Sequence, residues 1–377
     1  MKKENLYTPG PVTVPPEVLL RLAKPMYHHR TPRFKKMFSE VNTKLKSVFR
    51  TGNDIITFAS SGTGAMEASI VNFLSPGDKV VTINGGKFGE RWTLLAKAFG
   101  VEFNEIMVEW GSAPNPAELE KILADDPSIK AVYTELTETS TGTVFDIKAI
   151  GEIVAKTNAI LVVDAVSGIG ADDIHVDEWN VDVCVAGSQK AFMIPPGLAF
   201  MSVSEKAWKF ADESKLPKFY FNAKKARKVL AENNTPYTPA HILLEGLNVS
   251  LSMITDEGID NVIARHKKLA DAIREGAKAL GLSLYSNSPS NALTSIVFEG
   301  IDAEELRKHL KADGISVAGG QNEAKGKIIR IAMMGYATEA DVMIALSTLE
   351  RALVKMGVEI ELGKGIAAAQ ESLMKVA

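Results

Sequence analysis

The chain has 377 residues, 46% of them apolar, which is enough to bury one large core and a smaller second one. Its 43 Lys and Arg residues nearly balance its 46 Asp and Glu residues, and the formal net charge is -3. This balance excludes the basic face of a nucleic-acid-binding protein and gives no acidic tail. We therefore expect small molecules, or copies of the same chain, as partners.

Cysteine content and hydropathy exclude further classes of protein. Cys184 is the only cysteine, so the chain can form neither an intrachain disulfide nor a thiolate metal site, and no metal is expected. The N-terminus lacks the apolar stretch of a secretory signal, and the longest apolar runs, such as residues 159–163, are too short to span a bilayer. These features predict a cytoplasmic protein without a membrane segment.

Two kinds of segment alternate through the first half of the chain. Short β-branched segments, which predict strands, cover residues 54–59, 79–83, 131–134, 159–164 and 181–186. Longer segments with apolar residues three and four apart, which predict helices, cover residues 65–74, 90–99, 116–124 and 147–156. This alternation predicts parallel strands joined by crossover helices, and hence an α/β fold.

After Pro236 and Pro239 the pattern changes to a long helical stretch, which we expect to link two domains. The helical pattern covers residues 241–252 and 259–280; strands at 294–298 and 327–332 and helices at 303–313 and 339–356 follow, with a loosely held helical tail after Gly363. The predicted division is an N-terminal arm at 1–17, a large domain at 18–255 and a small C-terminal α+β domain at 256–377.

A lysine and an aspartate follow two of the predicted strands. Lys190 comes just after the apolar run 181–187, and Asp164 ends the preceding strand, so both side chains are expected at the same edge of the sheet. Such a pair is typical of pyridoxal phosphate (PLP) enzymes, because the amine can form an imine with the cofactor aldehyde while the carboxylate keeps the pyridine nitrogen protonated. Taken alone, Lys190 also fits a solvated surface lysine, and Asp164 fits a helix cap.

Small residues follow the first predicted strand. Segment 60–65, Ser-Ser-Gly-Thr-Gly-Ala, opens a helix, where backbone N–H groups can bind a phosphate. The spacing is not that of a dinucleotide fingerprint, because Glu67 stands at the third glycine position, and it is not a Walker loop. A plain tight turn explains this segment equally well.

Three further features are candidates for a site. Phe88 lies between glycines in a predicted loop, where its ring either covers a ligand or joins the core. Arg330 interrupts an apolar strand, where it either binds a carboxylate through two hydrogen bonds or marks a solvated face. His28, His29 and Arg30 lack metal-ligand spacing and are assigned to the surface or to a subunit contact.

Taken together, these features resemble the fold-type I, class V PLP-dependent aminotransferases, in particular the alanine/serine-glyoxylate aminotransferase group. The resemblance covers nearly the whole chain through ordered motifs at residues 8–11, 61–67, 84–85, 138–142, 163–166, 187–190 and 329–331. It implies a large domain with a mainly parallel sheet flanked by helices, and a smaller C-terminal α+β domain.

Position by position, the resemblance assigns roles around the cofactor ring. Lys190 is expected to form the covalent link, Asp164 to pair with the ring nitrogen, and Thr139 to place its hydroxyl beside the ring oxygen. Val166 and Phe88 are expected to pack on opposite ring faces. The family often has tryptophan or tyrosine at the position of Phe88, so stacking is kept while a polar contact is lost.

The resemblance also implies how the phosphate and the substrate are held. The expected phosphate cradle consists of Thr63, Gly64, Ala65 and Gln189. Thr235 and Thr238 resemble residues that reach the phosphate from the partner subunit, which implies a homodimer with a shared site. Gly10 and Arg330 are expected to enclose the substrate carboxylate.

The implied reaction is a ping-pong transamination from a small amino acid, alanine or serine, to a 2-oxo acid, with glyoxylate giving glycine. Among the candidate residues only Arg330 is placed to bind a carboxylate, and no clear second arginine serves a dicarboxylate side chain. Loops at 28–33 and 320–326 are possible sources of further pocket groups, with Arg30 the first suspect.

Three alternatives stay open at this point. A phosphonate or phosphoserine aminotransferase would need additional cations at the pocket mouth. A cysteine desulfurase would need a mobile loop cysteine, whereas Cys184 lies in a predicted buried strand. A non-catalytic subunit of a larger complex, such as the hydrogenase small subunit that members of this family have been called, need not retain Lys190, Asp164 and Arg330 together.

Overall fold

The computed structural model describes residues 4–375, which form a seven-stranded and a four-stranded sheet covered by helices, together with two short two-stranded sheets. The strands are β1 (Asn5–Leu6), β2 (Asp54–Phe58), β3 (Lys79–Asn84), β4 (Glu102–Met107), β5 (Ile129–Glu135), β6 (Thr137–Glu138), β7 (Thr143–Val144), β8 (Ile160–Asp164), β9 (Val183–Gly187), β10 (Ala199–Val203), β11 (Ser283–Leu284), β12 (Thr294–Val297), β13 (Ile315–Ser316), β14 (Ala318–Gly319) and β15 (Ile328–Ile331). The helices are α1 (Pro16–Leu22), α2 (Pro32–Phe49), α3 (Gly62–Phe73), α4 (Gly89–Ala98), α5 (Pro116–Asp125), α6 (Ile147–Val154), α7 (Glu205–Glu213), α8 (Ala223–Leu230), α9 (His241–Glu257), α10 (Ile259–Ala279), α11 (Ala303–Ala312), α12 (Glu339–Lys355) and α13 (Lys364–Met374), with a 3-10 turn at Asn322–Ala324.

The larger sheet has seven strands in the order β2-β10-β9-β8-β5-β3-β4. All neighbouring pairs are parallel except those of β10, which runs antiparallel to both of its neighbours. Along β8, Leu161 and Val163 enter the core on one face while Ile160 and Val162 enter the core on the other. Both faces are therefore covered, which is why these strands read as continuous apolar runs. The predicted α/β fold class is confirmed.

The predicted strands and helices of this region are all found, with their ends displaced by a few residues. The sequence interpretation had assigned no strand to β4 or β10 and no helix to α2. No helix within residues 4–375 has the length and hydropathy needed to cross a bilayer.

The smaller sheet is antiparallel, with the order β11-β12-β15-β14, and it shares a core with α10, α11 and α12. The expected loose tail is wrong. Helix α13 packs against α10 and α12, and its Ala369 is fully buried in that core, so the segment is an integral part of the smaller unit. The predicted domain boundary at 255 stays a prediction; the apolar residues of α9 join the core of the larger sheet, and most of those of α10 join the smaller one.

The N-terminal arm connects the two sheets. Strand β1 pairs in parallel with β13, opposite Ile315 and Ser316 on the smaller unit. Further along, the Val12 N–H donates to the Gln189 carbonyl at 3.1 Å, just beyond the end of β9. The residues between these two anchors therefore cross the sheet edge at which the candidate catalytic residues lie.

Candidate active site

The predicted lysine and aspartate lie at the carboxyl edge of the larger sheet. Asp164 is the last residue of β8 and Lys190 follows β9, the neighbouring parallel strand. Both side chains are almost completely buried, with 5% of Asp164 and 8% of Lys190 exposed. The parallel pairing of β8 and β9 therefore brings the two groups together, as the sequence predicted.

Burial changes the acidity of both groups in opposite directions. It raises the pKa of Asp164 to about 6, although a hydrogen bond from the Val166 N–H at 2.8 Å partly offsets the effect. It lowers the pKa of Lys190 to about 8; the negative charge of Asp164 opposes this shift, and the Arg330 and Arg91 charges add to it. The Lys190 ammonium donates to the Pro9 carbonyl of the arm. A neutral, nucleophilic amine is thus accessible just above neutral pH.

Lys190 opens into a cavity of about 510 Å³ between the larger sheet and the smaller unit. Its walls are formed by Thr8, Pro9, Gly10, Phe88, Thr139, Lys190, Glu304, Arg307, Val317, Ala318, Gly319, Gly320, Gln321, Lys325 and Arg330. Five of the predicted site residues, Gly10, Phe88, Thr139, Lys190 and Arg330, therefore share one cavity.

Arg330 is a rigid cation in the wall of this cavity. It lies on β15 and is 5% exposed, and its Nε and Nη2 atoms donate to the Gly319 carbonyl at 3.0 and 2.8 Å. Its Nη1 atom donates to the Thr139 carbonyl at 2.7 Å. Burial lowers the pKa of Arg330 to about 10, so it stays charged at neutral pH. Two N–H bonds remain on Nη1 and Nη2 for a carboxylate.

The N-terminus of α3 has the features of an anion site. Ser61 precedes the helix, and its side chain makes no capping hydrogen bond, so the N–H groups of Gly62 and Thr63 stay available, whereas those of Gly64 and Ala65 donate to the Ser61 carbonyl at 2.9 and 3.4 Å. A Cβ atom at Gly62 would lie 2.6 Å from Cγ2 of Val166, which explains why glycine is needed there. The side-chain oxygen of Gln189 is buried without a partner and lies near Gly187, beside this helix end.

Comparison with known proteins assigns the chain to a family. The model of the class-V aminotransferases matches residues 17–344. The chain belongs to the class-V aminotransferase family.

Its curated relatives match nearly end to end. A soluble hydrogenase small subunit of Synechococcus is 41% identical over 98% of each chain. An L-aspartate–glyoxylate aminotransferase of Paracoccus denitrificans is 37% identical, covering 98% of this chain and 96% of the relative, and a serine–glyoxylate aminotransferase of Hyphomicrobium methylovorum is 36% identical, covering 98% and 95%. Among solved structures, ureidoglycine–glyoxylate aminotransferase of Bacillus subtilis superposes with a TM-score of 0.94 at 29% identity, covering 100% of this chain and 99% of that chain.

Class-V aminotransferases are PLP-dependent, and the residues of this chain fit that cofactor. The uncapped start of α3 suits the phosphate, and the unpartnered carboxamide oxygen of Gln189 lies beside it. Asp164 is predicted to pair with the ring nitrogen, whose positive charge would offset the cost of burying the carboxylate. Lys190 is predicted to supply the amine. The roles of Val166 and Thr139 toward the ring stay predictions; the Thr139 hydroxyl donates to the Ser167 hydroxyl at 2.6 Å.

The loop that carries Phe88 is fixed by a buried carboxylate that the sequence interpretation missed. Both side-chain oxygens of Glu138 are bonded, and one accepts from the N–H groups of Phe88 and Gly89 at 3.0 and 2.9 Å. Phe88 itself is half-buried at the cavity, and the Arg91 guanidinium lies 4.9 Å from its ring centre. Arg91 also donates to the Thr63 hydroxyl at 3.0 Å, which links this loop to the start of α3.

The two threonines predicted to touch a phosphate lie elsewhere on the chain. Thr235 and Thr238 line a different cavity with Tyr220 and Tyr237, and the Thr235 hydroxyl donates to the Tyr237 carbonyl at 2.8 Å. Arg30 donates to the Thr235 carbonyl at 2.7 Å, so it supports this segment and does not enter the Lys190 cavity of its own chain. Contact with a partner's cofactor stays a prediction for both threonines.

The second suspected loop, 320–326, does reach the cavity. It contributes Gly320, Gln321 and Lys325, and α11 adds Arg307. The sequence interpretation had found no second arginine near the substrate, because the sequence of α11 does not show which of its charged residues faces the cavity. Arg307 and Lys325 therefore line the cavity as two cations that the sequence interpretation did not place there.

Proposed function

We propose that this class-V aminotransferase transfers the amino group of a small amino acid, alanine or serine, to glyoxylate in a ping-pong reaction that produces glycine. The observation that carries this proposal is that Asp164 and Arg330 both act on Lys190: Arg330 lines the same cavity as Lys190, and the charge of the buried Asp164 reaches the lysine amine. The names of two relatives, a serine–glyoxylate and an aspartate–glyoxylate aminotransferase, support glyoxylate as the acceptor.

Each of these residues has a definite task. Arg330, fixed by the Gly319 and Thr139 carbonyls, binds the α-carboxylate and orients the amino acid. Bound PLP supplies an electron sink for the bond to Cα and an acceptor for the amino group. The Lys190 amine removes the Cα proton and delivers it to the cofactor side; its pKa of about 8 suits a group that must both accept and donate protons near neutrality. Asp164 holds the ring nitrogen protonated.

A homodimer is part of the proposal. Thr235 and Thr238 contribute nothing to the cavity of their own chain, as expected if they complete a partner's phosphate site. Cofactor affinity should then be linked to dimerisation. Dilution to monomers should weaken PLP binding in step with dissociation, and monomers that retain full affinity would contradict this arrangement.

Two of the three alternatives, the cysteine desulfurase and the non-catalytic subunit, have less support. Cys184 is completely buried in β9, and burial raises the pKa of its thiol, which is the opposite of what a desulfurase nucleophile requires. The name of the hydrogenase-subunit relative describes that protein; this chain retains Lys190 and Arg330 in one cavity, with Asp164 close enough for its charge to act on Lys190.

The deciding experiment purifies the chain alone and assays it with alanine or serine and glyoxylate. Lys190→Ala should bind PLP without covalent attachment and lose at least roughly a hundredfold in turnover, the range typical of a proton-transfer group. Lys156→Ala, at an exposed lysine remote from the cavity, serves as the control. Borohydride reduction followed by peptide mapping should label Lys190. Near-normal activity of Lys190→Ala, or label elsewhere, would end the proposal.

A further inference from the structure

Two cations share the substrate cavity with Arg330. Arg307 lies on α11, and Lys325 follows the 3-10 turn at Asn322–Ala324; both side chains line the cavity into which Lys190 opens. Both residues are exposed at its mouth, whereas Arg330 is buried in its wall. The cavity therefore has one inner cation, suited to an α-carboxylate, and a second, outer cationic zone.

The backbone at Gly319 brings the two arginines together. Arg330 donates to the Gly319 carbonyl, and a Cβ atom at position 319 would lie 3.4 Å from Nε of Arg307. Both guanidinium groups therefore lie near the same residue of β14. A carboxylate oxygen of Glu304 lies closer still, because it is the atom nearest to a Cβ placed at position 319.

The charges of the outer zone do not cancel. Arg307 is paired with Glu304 on the same helix. Lys325 forms no ion pair within residues 4–375, and it lines the cavity beside that pair. Arg307 and Lys325 carry two positive charges and Glu304 one negative charge. The outer zone therefore has one net positive charge in addition to the charge of Arg330. A donor such as alanine supplies one carboxylate, which Arg330 takes, and leaves this outer charge without a counter-ion.

We propose that Arg307 and Lys325 form a second carboxylate subsite, so that the enzyme takes, besides small donors, amino acids with a carboxylate side chain such as aspartate and glutamate. The inference rests on the proposed function, since it requires the α-carboxylate on Arg330. One surplus cation matches the single charge of a side-chain carboxylate, and the Arg307 fork matches its geometry. A phosphoryl group carries close to two negative charges, about one more than the net positive charge of the outer zone.

The test compares donors on the PLP-loaded enzyme with glyoxylate as acceptor. Arg307→Gln and Lys325→Gln should each lower kcat/KM for aspartate and glutamate by roughly tenfold, the scale of one hydrogen bond to a charged partner, with less than about a twofold change for alanine. Lys308→Gln is the matched control, because Lys308 is the next residue on α11 and does not line the cavity. It should leave both donors unchanged.

A binding measurement gives an answer independent of turnover. Maleate, an unreactive dicarboxylate, should bind the PLP-loaded protein at least roughly tenfold more tightly than propionate, and Lys325→Gln should remove that advantage. The advantage should also fall as salt is added, because both outer cations are exposed.

The outcomes separate the two proposals. If alanine or serine reacts with glyoxylate but aspartate and glutamate do not, or if the Gln variants affect alanine and aspartate equally, the second subsite is refuted while the proposed function stands. Phosphoserine reacting faster than aspartate would also refute it, in favour of a phosphoryl subsite. If no amino acid reacts with glyoxylate, the proposed function fails, and equal binding of maleate and propionate would then refute the subsite as well.

Discussion

Replacing Gly10 by alanine should disable the enzyme with little effect on its fold. Gly10 has a φ of +117°, a conformation that residues with a side chain rarely adopt. An added Cβ atom would lie 2.5, 2.6 and 2.7 Å from Cδ, Cε and Nζ of Lys190, well inside van der Waals contact. The added methyl group would therefore occupy the space of the lysine side chain that must reach the cofactor.

The magnitude follows from two costs. The left-handed backbone costs roughly 1–3 kcal/mol for a residue other than glycine. Moving Lys190 away from its preferred rotamer costs about 0.5–1.5 kcal/mol more. Together these costs raise the barrier of the step that needs Lys190 by roughly 1.5–4.5 kcal/mol, which lowers its rate by about 10- to 2000-fold.

The assay is a single-turnover reaction with alanine, followed by the absorbance of the cofactor, together with thermal melting. Gly77→Ala is the matched control, because Gly77 also has a positive φ, +80°, but an added Cβ there would have no neighbour within 4 Å. Gly77→Ala should lose some stability and no turnover. Equal turnover in the two variants would show that the contact with Lys190 is irrelevant.

Three other outcomes follow from buried titratable groups. PLP attachment to the apoprotein should accelerate as the pH rises through about 8, where Lys190 becomes neutral, and a rate without pH dependence between 7 and 9 would contradict this. Because the pKa of Asp164 is raised from 3.8 to about 6, the native apoprotein holds a proton that the unfolded chain has lost, and stability falls as the pH rises through this window. Asp164→Asn should therefore raise the melting temperature of the apoprotein at pH 8, and it should lower turnover by roughly a hundredfold. A lower melting temperature would contradict the expected direction of the stability change. Burial raises the pKa of Glu135 well above its usual value and both its oxygens lack partners, so Glu135→Gln should leave the melting temperature at neutral pH unchanged or higher, as calorimetry can check.

Much of the larger sheet could be predicted because its strands are buried on both faces. Continuous apolar runs mark β8 and β9, and the rule that parallel strands share a carboxyl edge places Asp164 beside Lys190. Strand β4 was missed because it lies at the edge of the sheet and is rich in exposed polar residues. Helix α2 carried a readable signal, since Thr31 caps it and Pro32 opens it, so its omission was an error of interpretation.

The outer part of the site could not be predicted in the same way. Arg307 belongs to an amphipathic helix on which several exposed charged residues look alike in sequence. Only the packing of α11 against β14 shows which of them faces the cavity. Lys325 depends likewise on the path of the loop after Gln321. The positions of Arg307 and Lys325 depend on contacts between segments that are distant in the chain. Local patterns in a single sequence do not reveal those contacts.

The arm gives the two halves of the molecule a mechanical connection. Its strand β1 pairs with β13 of the smaller unit. Its Pro9 carbonyl accepts a hydrogen bond from the Lys190 amine, and its Val12 N–H donates to the carbonyl of Gln189, the residue before that lysine. A displacement of the smaller unit would therefore shift the Pro9 carbonyl to which the Lys190 amine donates. Through the arm, the position of the smaller unit influences the position of this amine.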